Sequence, residues 1–374
     1  MKTRWHTIFL LLLFALAAPP VHSQGKRKVI IDQDARGPAS TDMQSILVLI
    51  QSPETEVLGI TVVSGDQWRD EEVAHTLRLL EIIGRTDIPV VPGAIFPLVN
   101  RREDIEHWEK LYGKVAYKGA WNPGFRPDPY AIPPLREGNP TTKPLDEDAA
   151  HFLIRMLHKY PHEITIYAGG PLTNLALAIA IDPEVPKLAQ ELVEMGPGIN
   201  AGSGDPEWYM TPRRGYNTWW DPEGSHIVFR APWPKITVTT EDMGTKTHFT
   251  KAMMEELGKT QTPVAQYVSK YGYEAYMWDE IAAEAWLDPS IVTKEVVLYM
   301  DFSLDHNASY GDTLVWLPGK NPGLGEQEVH VLESLDMPKF YRMFMDLMTR
   351  PTPGSHVGSQ RESGAAVSSA SARR

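Results

Sequence analysis

The sequence predicts one α/β domain built on an open, largely parallel sheet, and three observations carry that expectation. Short runs rich in β-branched residues alternate with longer amphipathic stretches. Neither an internal repeat nor a convincing linker divides them. Polar residues collect just past several of the apolar runs, where loops leave a parallel sheet and ligands bind.

In chain order, KVIID from Lys28 reads as a strand and TDMQSILVLIQS as a helix. VLGITVVSGD repeats the strand signal, RDEEVAHTLRLLEIIGR is helical with Gly84 near its end, and IPVVPGA supplies a third strand. Residues 99–145 break the rhythm with Pro, Gly and Trp, and read as a long surface excursion of the kind that forms lids or rims. The alternation resumes with the helix EDAAHFLIRMLHKY, the strand EITIYAGG, the helix LTNLALAIAI and the strand ELVEMG. An irregular segment runs to Asn217, followed by the helix DPEGSHIVFR and the strand KITVTT. After Thr245 the chain is mainly helical through AWLDP and finishes with strands around VVLYM and EVHVLES.

The 374 residues are 42% hydrophobic, ample for a packed core. With 36 basic against 48 acidic residues the net charge is −12, and no basic patch stands out, so nucleic acid is not an expected partner. Lys2 and Arg4 precede an apolar stretch from Ile8 to Ala18, with small residues near Val21 and Ser23. Residues 1–23 therefore read as a secretory signal peptide, which predicts an exported protein, periplasmic or secreted, with no stable membrane anchor. There is no cysteine, so thiol chemistry and cysteine-bound zinc are excluded. Residues 24–350 form the expected domain, and residues 351–374, rich in Ser, Gly and Ala, read as a disordered tail.

Asp32 and Asp34 end the first strand, Gly65 and Asp66 the second, Gly169 and Gly170 the ITIYA strand, and Gly196 to Asn200 follow ELVEM. Carboxylates sharing one crevice repel unless they share protons or bind a cation. A hard divalent ion, calcium or magnesium, takes oxygen ligands, and Asp34, Asp42, a distant Asp and a backbone carbonyl would serve. The spacing does not match a calcium helix-loop-helix. Spacing alone also allows a plainer reading, with Asp42 capping the helix that follows and Asp32 and Asp34 as ordinary strand-end residues. His75, His151 and His158 lie on amphipathic helices and read as surface or packing residues. Asn174 is expected to bond local backbone at a helix start, and Asp182, Asp221 and Asp288, each before Pro, to shape turns or helix starts.

The blocks DQDARGPASTD, GITVVSGD, GPLTNLALAIAIDPE, EMGPG, GYNTWWDPEGS and WDEIAAEAWLDPS stand in one order between Lys28 and about Pro289. That ordered set resembles the inosine-uridine preferring nucleoside hydrolase family, whose members carry D-x-D-P-G-x-D-D, G-I-T-x-V-x-G-N, G-P-L-T-N-L-A, M-G-G, E-F-N and H-D in the same succession. The resemblance implies a Rossmann-like single domain with insertions, hydrolysis of ribonucleoside N-glycosidic bonds, and bound Ca2+. It implies that Asp34 is metal ligand and general base, that Asp42, Asp279 and the carbonyl of Gly169 complete the ligands, and that Asp32 acts behind them. A small nucleoside or ribosyl compound is the implied substrate, and a homo-oligomer is compatible with it.

The departures bear on the sugar and the base. Three extra residues separate Asp34 from Thr41–Asp42, and Thr41 replaces the first Asp of the family's pair. Asp66 replaces Asn, Gly215 replaces the Glu of E-F-N, and Trp278 replaces the His before the last ligand, while Asn217 is retained. Thr41, Asp66, Asn200, Asn217, Trp278, Tyr273 and Tyr276 are the candidate substrate contacts, with Tyr271 close by. The aromatics also fit simple packing. Two further outcomes stay open: an exported protein that binds sugar without cleaving it, and the same chemistry on another ribosyl compound.

Overall fold

The computed structural model describes residues 25–356, apart from 116, 123, 125, 126 and 200–212. The expected signal peptide, Asn200 and the tail from residue 357 onward therefore lie outside the described residues. The first residues of the expected tail are held at the end of the second helix, the Pro353 carbonyl accepting from Arg85 (2.9 Å) and the His356 amide donating to the Gly84 carbonyl (3.0 Å). Nine strands form one sheet: β1 (Arg27–Gln33), β2 (Thr55–Val62), β3 (Val90–Pro92), β4 (Ile164–Ala168), β5 (Glu191–Met195), β6 (Ile236–Thr239), β7 (Val292–Phe302), β8 (Thr313–Trp316) and β9 (Gln327–Leu335). Their spatial order is β3-β2-β1-β4-β5-β6-β9-β7-β8. Every pair from β3 to β9 is parallel, and β7 adds the antiparallel edge with β9 and β8. The order reverses between β1 and β4, which opens a crevice beyond their carboxyl ends.

The helices are α1 (Thr41–Gln51), α2 (Arg69–Ile83), α3 (Arg102–Tyr112), α4 (Ala149–Lys159), α5 (Thr173–Ile181), α6 (Val185–Leu188), α7 (Tyr216–Trp220), α8 (Pro222–Arg230), α9 (Glu241–Gly244), α10 (Lys251–Leu257), α11 (Pro263–Tyr271), α12 (Glu280–Leu287) and α13 (Met337–Thr349). They cover both faces of the sheet, and the strands read as unbroken apolar runs for that reason. Along β1, Val29 and Ile31 pack into the layer built by α1, α2, α11, α12 and α13, while Ile30 packs oppositely with α4, α5 and α8. No helix of the described residues is long and apolar enough to cross a membrane.

Local chemistry sets several boundaries. Gly84 closes α2 in the left-handed conformation (φ 72°), its amide reaching the Leu80 and Glu81 carbonyls. Ser40, not Asp42, caps α1, which leaves Asp42 in the first helical turn with its carboxylate not spent on the cap. Asp221 caps α8 through the Gly224 amide, and Asp288 bonds the Ser290 amide, as expected of residues before Pro.

Three expectations need correction. The excursion over residues 99–145 is not bare loop: it contains α3, and Trp121 from it stacks on Trp220 of α7 with ring centroids 3.9 Å apart. Trp68, Ile105 and Trp219 complete this cluster, so aromatic burial holds the segment down. Strand β8 and the closing helix α13 also went unread. Finally, Asn174 does not serve its own helix start: its side-chain Nδ2 donates to Asp32 (2.7 Å) and its Oδ1 accepts from the Ala94 amide (2.7 Å). It joins α5 to β1 and to the loop after β3, contacts that only the folded sheet creates.

Asn174→Ala leaves the fully buried Asp32 carboxyl and the Ala94 amide short of partners, and should lower stability by about 2 to 3 kcal/mol. Urea denaturation measures it, and a loss under about 0.5 kcal/mol would show the amide to be dispensable.

Candidate active site

A cavity of about 250 Å³ opens at the β1/β4 switch point. Asp34 follows β1 directly and is 1% exposed. Its Oδ2 accepts from the Asp66 amide (2.9 Å), while its buried Oδ1 has no hydrogen-bond partner. Gly65 and Gly170 approach it so closely that a Cβ at either would collide with Asp34 atoms, which is why the strand-end glycines are needed here. Asp42 reaches the cavity from α1, and Asp279 from the N-cap of α12.

Gln33 links the last two. Its Nε2 donates to Asp279 Oδ1 (3.1 Å) and lies 3.4 Å from Asp42 Oδ1. Ser40 donates to Asp42 Oδ2 (2.6 Å), and the Tyr167 hydroxyl bonds the Asp279 carbonyl. Three carboxyls distant in sequence thus line one crevice.

Burial is the largest cause of a raised pKa at each of them. For Asp34 the charges of Asp66, Asp42, Glu72 and Asp279 push further up, and for Asp42 those of Asp279 and Asp66 do so against the Ser40 hydrogen bond. Burial carries Asp279 to about 7, opposed by the hydrogen bonds from Gln33 and Thr41. Such a set favours protons or an external cation.

The donor set fits a hard cation: oxygen only, buried, and with one Asp34 oxygen orphaned. Among the described residues no group of three or more His, Cys, Asp or Glu stands already spaced as a metal cage. Protein donors already reach several of the candidate ligand atoms. Gln33 and Ser40 hold the Asp42 and Asp279 oxygens, and Asn217 Nδ2 donates to the Gly169 carbonyl (2.6 Å). Members of the nucleoside hydrolase family are generally metal-dependent.

The other candidates take different places around the cavity. Asp32 does not line the cavity: one residue before Gln33, it faces the opposite side of the sheet, where Thr61 (2.5 Å) and Asn174 bond it. Burial raises it to about 6 despite those two bonds. Thr41 lines the cavity, yet its hydroxyl is taken up by Asp279 (3.0 Å) and Glu280 (2.5 Å), so it positions the carboxyl rather than presenting itself. Asn217 also lines the wall and ties β4 to β5, with a second bond to the Met195 carbonyl (2.9 Å). Asp66, Tyr273, Tyr276 and Trp278 line it too, the last two edge to face at 5.0 Å. Tyr271 instead packs on Tyr267.

His75 is buried against the Glu137 carboxyl beneath Gly37, and His151 and His158 meet Asp148 and Asp182 at the surface. None of the three lines the cavity, in keeping with their reading as packing or surface groups. Sequence reasoning missed Arg36, Tyr117, Met195, Tyr216 and Glu241. Met195 and Glu241 do end or follow strands, a signal that could have found them. Tyr117 arrives from the excursion, where no periodicity marks it.

Comparison with known proteins accords with this geometry. The chain is 32% identical over 245 residues to probable uridine nucleosidase 2 of Arabidopsis thaliana, covering 66% of this chain and 68% of that protein. It is 27% identical over 339 residues to the inosine-uridine preferring nucleoside hydrolase of Leishmania major, covering 87% and 98%. A solved plant nucleoside hydrolase superposes with a TM-score of 0.68 at 23% identity, over 87% of this chain and 99% of that one, which shows a shared fold. The model of the inosine-uridine preferring nucleoside hydrolase family matches residues 29–342, and the chain belongs to that family.

Proposed function

We propose that this protein is an exported, calcium-dependent hydrolase that cleaves the N-glycosidic bond of ribonucleosides. The observation that carries the reading is the cavity that Asp34, Asp42 and Asp279 line together, with the buried Oδ1 of Asp34 left unpartnered, in a chain of this family. Asp34, Asp42, Asp279 and the Gly169 carbonyl are the residues that would hold calcium. The ion, when bound, would lower the pKa of a water and orient vicinal sugar hydroxyls.

Asp34 acts as the base, taking a proton from the attacking water as its oxygen approaches the anomeric carbon. The surrounding carboxylates favour the positive charge that develops on the sugar. Tyr276 and Trp278 offer aromatic faces for a base. Thr41 and Gln33 keep Asp279 in place. Export rests on the charged and apolar pattern of residues 1–23.

Release of free base and reducing sugar from a panel of purine and pyrimidine ribonucleosides tests the assignment. Turnover should vanish with chelator and return with calcium. Asp34→Asn should reduce kcat by about 1000-fold or more, and an unchanged rate would remove Asp34 from the base role. Nucleoside binding without any turnover would favour a sugar-binding protein instead.

The same carboxyls set a pH dependence. Unfolded Asp ionises near 4, whereas folded Asp32 holds its proton to about 6 and Asp279 to about 7. The folded state binds the extra protons, so their contribution is complete at low pH and is lost as pH rises through that window. Chelated protein should therefore melt at a lower temperature at pH 8 than at pH 5, and calcium should raise Tm far more at pH 8. Scanning fluorimetry decides it; a chelated Tm that climbs from pH 5 to 8 would contradict the argument.

A further inference from the structure

Breaking a C–N glycosidic bond leaves its electron pair on the base. A neutral nucleoside therefore needs a proton donor or a positive charge at the departing ring. The described residues lining the cavity include no His and no Lys, and Trp278 stands where the sequence comparison expects a His. Their tyrosines are weak acids; burial pushes Tyr273 up to about 12 and Tyr117 and Tyr216 well above the ordinary phenol value. Among the described lining residues one is cationic, Arg36.

Arg36 lies in the first loop, three residues longer here than in the family pattern. The loop is fixed on several sides. Ala35 and Ala39 are fully buried, the Ala39 amide donates to the Tyr267 hydroxyl (2.9 Å), and the Ser40 hydroxyl oxygen packs against the Arg36 carbonyl. Arg36 Nη1 donates to the Tyr117 hydroxyl (3.0 Å) and lies 3.6 Å from Asp66 Oδ2. Among the described residues, no hydrogen bond engages Nε or Nη2, and the side chain is 34% exposed. One edge of the guanidinium is therefore held while the other is open.

We infer that Arg36 is the leaving-group residue of this hydrolase: Tyr117 and Asp66 hold its guanidinium so that the open edge receives the negative charge developing on the departing base. This rests on the hydrolase reading above. The carbon–nitrogen bond breaks with its pair passing to the base, and a carbon–oxygen bond forms to water, whose proton goes to Asp34. The base leaves as an anion bonded to Arg36 and takes its proton from solvent after release. Arg36 transfers no proton, since a guanidinium stays charged at every working pH. Two adjacent donors in a plane suit bases that spread charge onto a carbonyl oxygen, such as uracil or hypoxanthine. A substrate already anionic fits poorly, because Asp34, Asp42, Asp66, Asp279 and Glu241 share the cavity.

The test compares calcium-loaded wild type, Arg36→Met, Arg36→Lys and Tyr117→Phe on uridine, inosine and 4-nitrophenyl β-ribofuranoside, with circular dichroism and Tm as folding controls. Nitrophenolate carries its own charge, so it needs little help. Arg36→Met should lower kcat on uridine and inosine by about 100-fold or more, with a smaller change in KM, and on the nitrophenyl substrate by less than about tenfold. Arg36→Lys should recover part of the loss. Tyr117→Phe, which keeps the guanidinium but frees it, should show the same substrate order on a smaller scale. Should Arg36→Met misfold, the last two variants decide the matter by that order. Equal losses on all three substrates, or wild-type rates throughout, overturn the assignment while leaving the hydrolase reading intact. Wild type cleaving none of the three defeats the hydrolase reading and the inference with it.

Discussion

Burying several carboxyls of like charge in one crevice is the constraint on which the rest of this structure depends. Asp34, Asp42 and Asp279 are each at most 4% exposed, and each is raised chiefly because water has been excluded. A set like this persists only if the fold supplies donors or leaves room for a cation. The protein does both. Gln33, Ser40, Thr41 and the Asp66 amide donate to individual oxygens, while Asp34 Oδ1 is left for something else.

The sheet makes the concentration of charge affordable. At the switch point β1 and β4 send their following loops apart, so the acids gather in a crevice instead of the core. Alternation along β1 divides the work between faces: Asp32 turns toward Thr61 and Asn174, Gln33 toward Asp42 and Asp279. The lower half of the site is thus rigid main chain and short side chains. The upper half is different in kind, since Tyr117, Tyr273, Tyr276 and Trp278 come from connecting segments and build an aromatic rim. Trp121 stacked on Trp220 anchors the longest of those segments, and the Tyr117 hydroxyl joins it to Arg36 on the first loop.

Legibility followed the range of the interactions. Strands β1 to β6 and the helices between them were readable because a period of two or 3.6 is written locally in apolar residues. Helix α3 was hidden in a Pro- and Gly-rich context, and α13 and β8 lie beyond the motif-bearing part of the chain. Asp34, Asp42, Asp279 and Gly169 were found through ordered motifs, since spacing alone served a helix cap equally well. Arg36 and Tyr117 carried no such signal. Asn174 was read as a local cap because its neighbours in sequence say nothing of Asp32, which lies 142 positions away.

By itself the sequence determined the α/β class, the run of parallel strands and the identity of the acids, because hydrophobic period and residue type are properties of short segments. Tertiary structure alone decided which face each acid took and that the Thr41 hydroxyl would be spent on Asp279 and Glu280. It also decided that Arg36 would stand in the cavity with one edge held by Tyr117. Those outcomes depend on distances between residues far apart in the chain, and such distances exist only once the sheet has closed around its crevice.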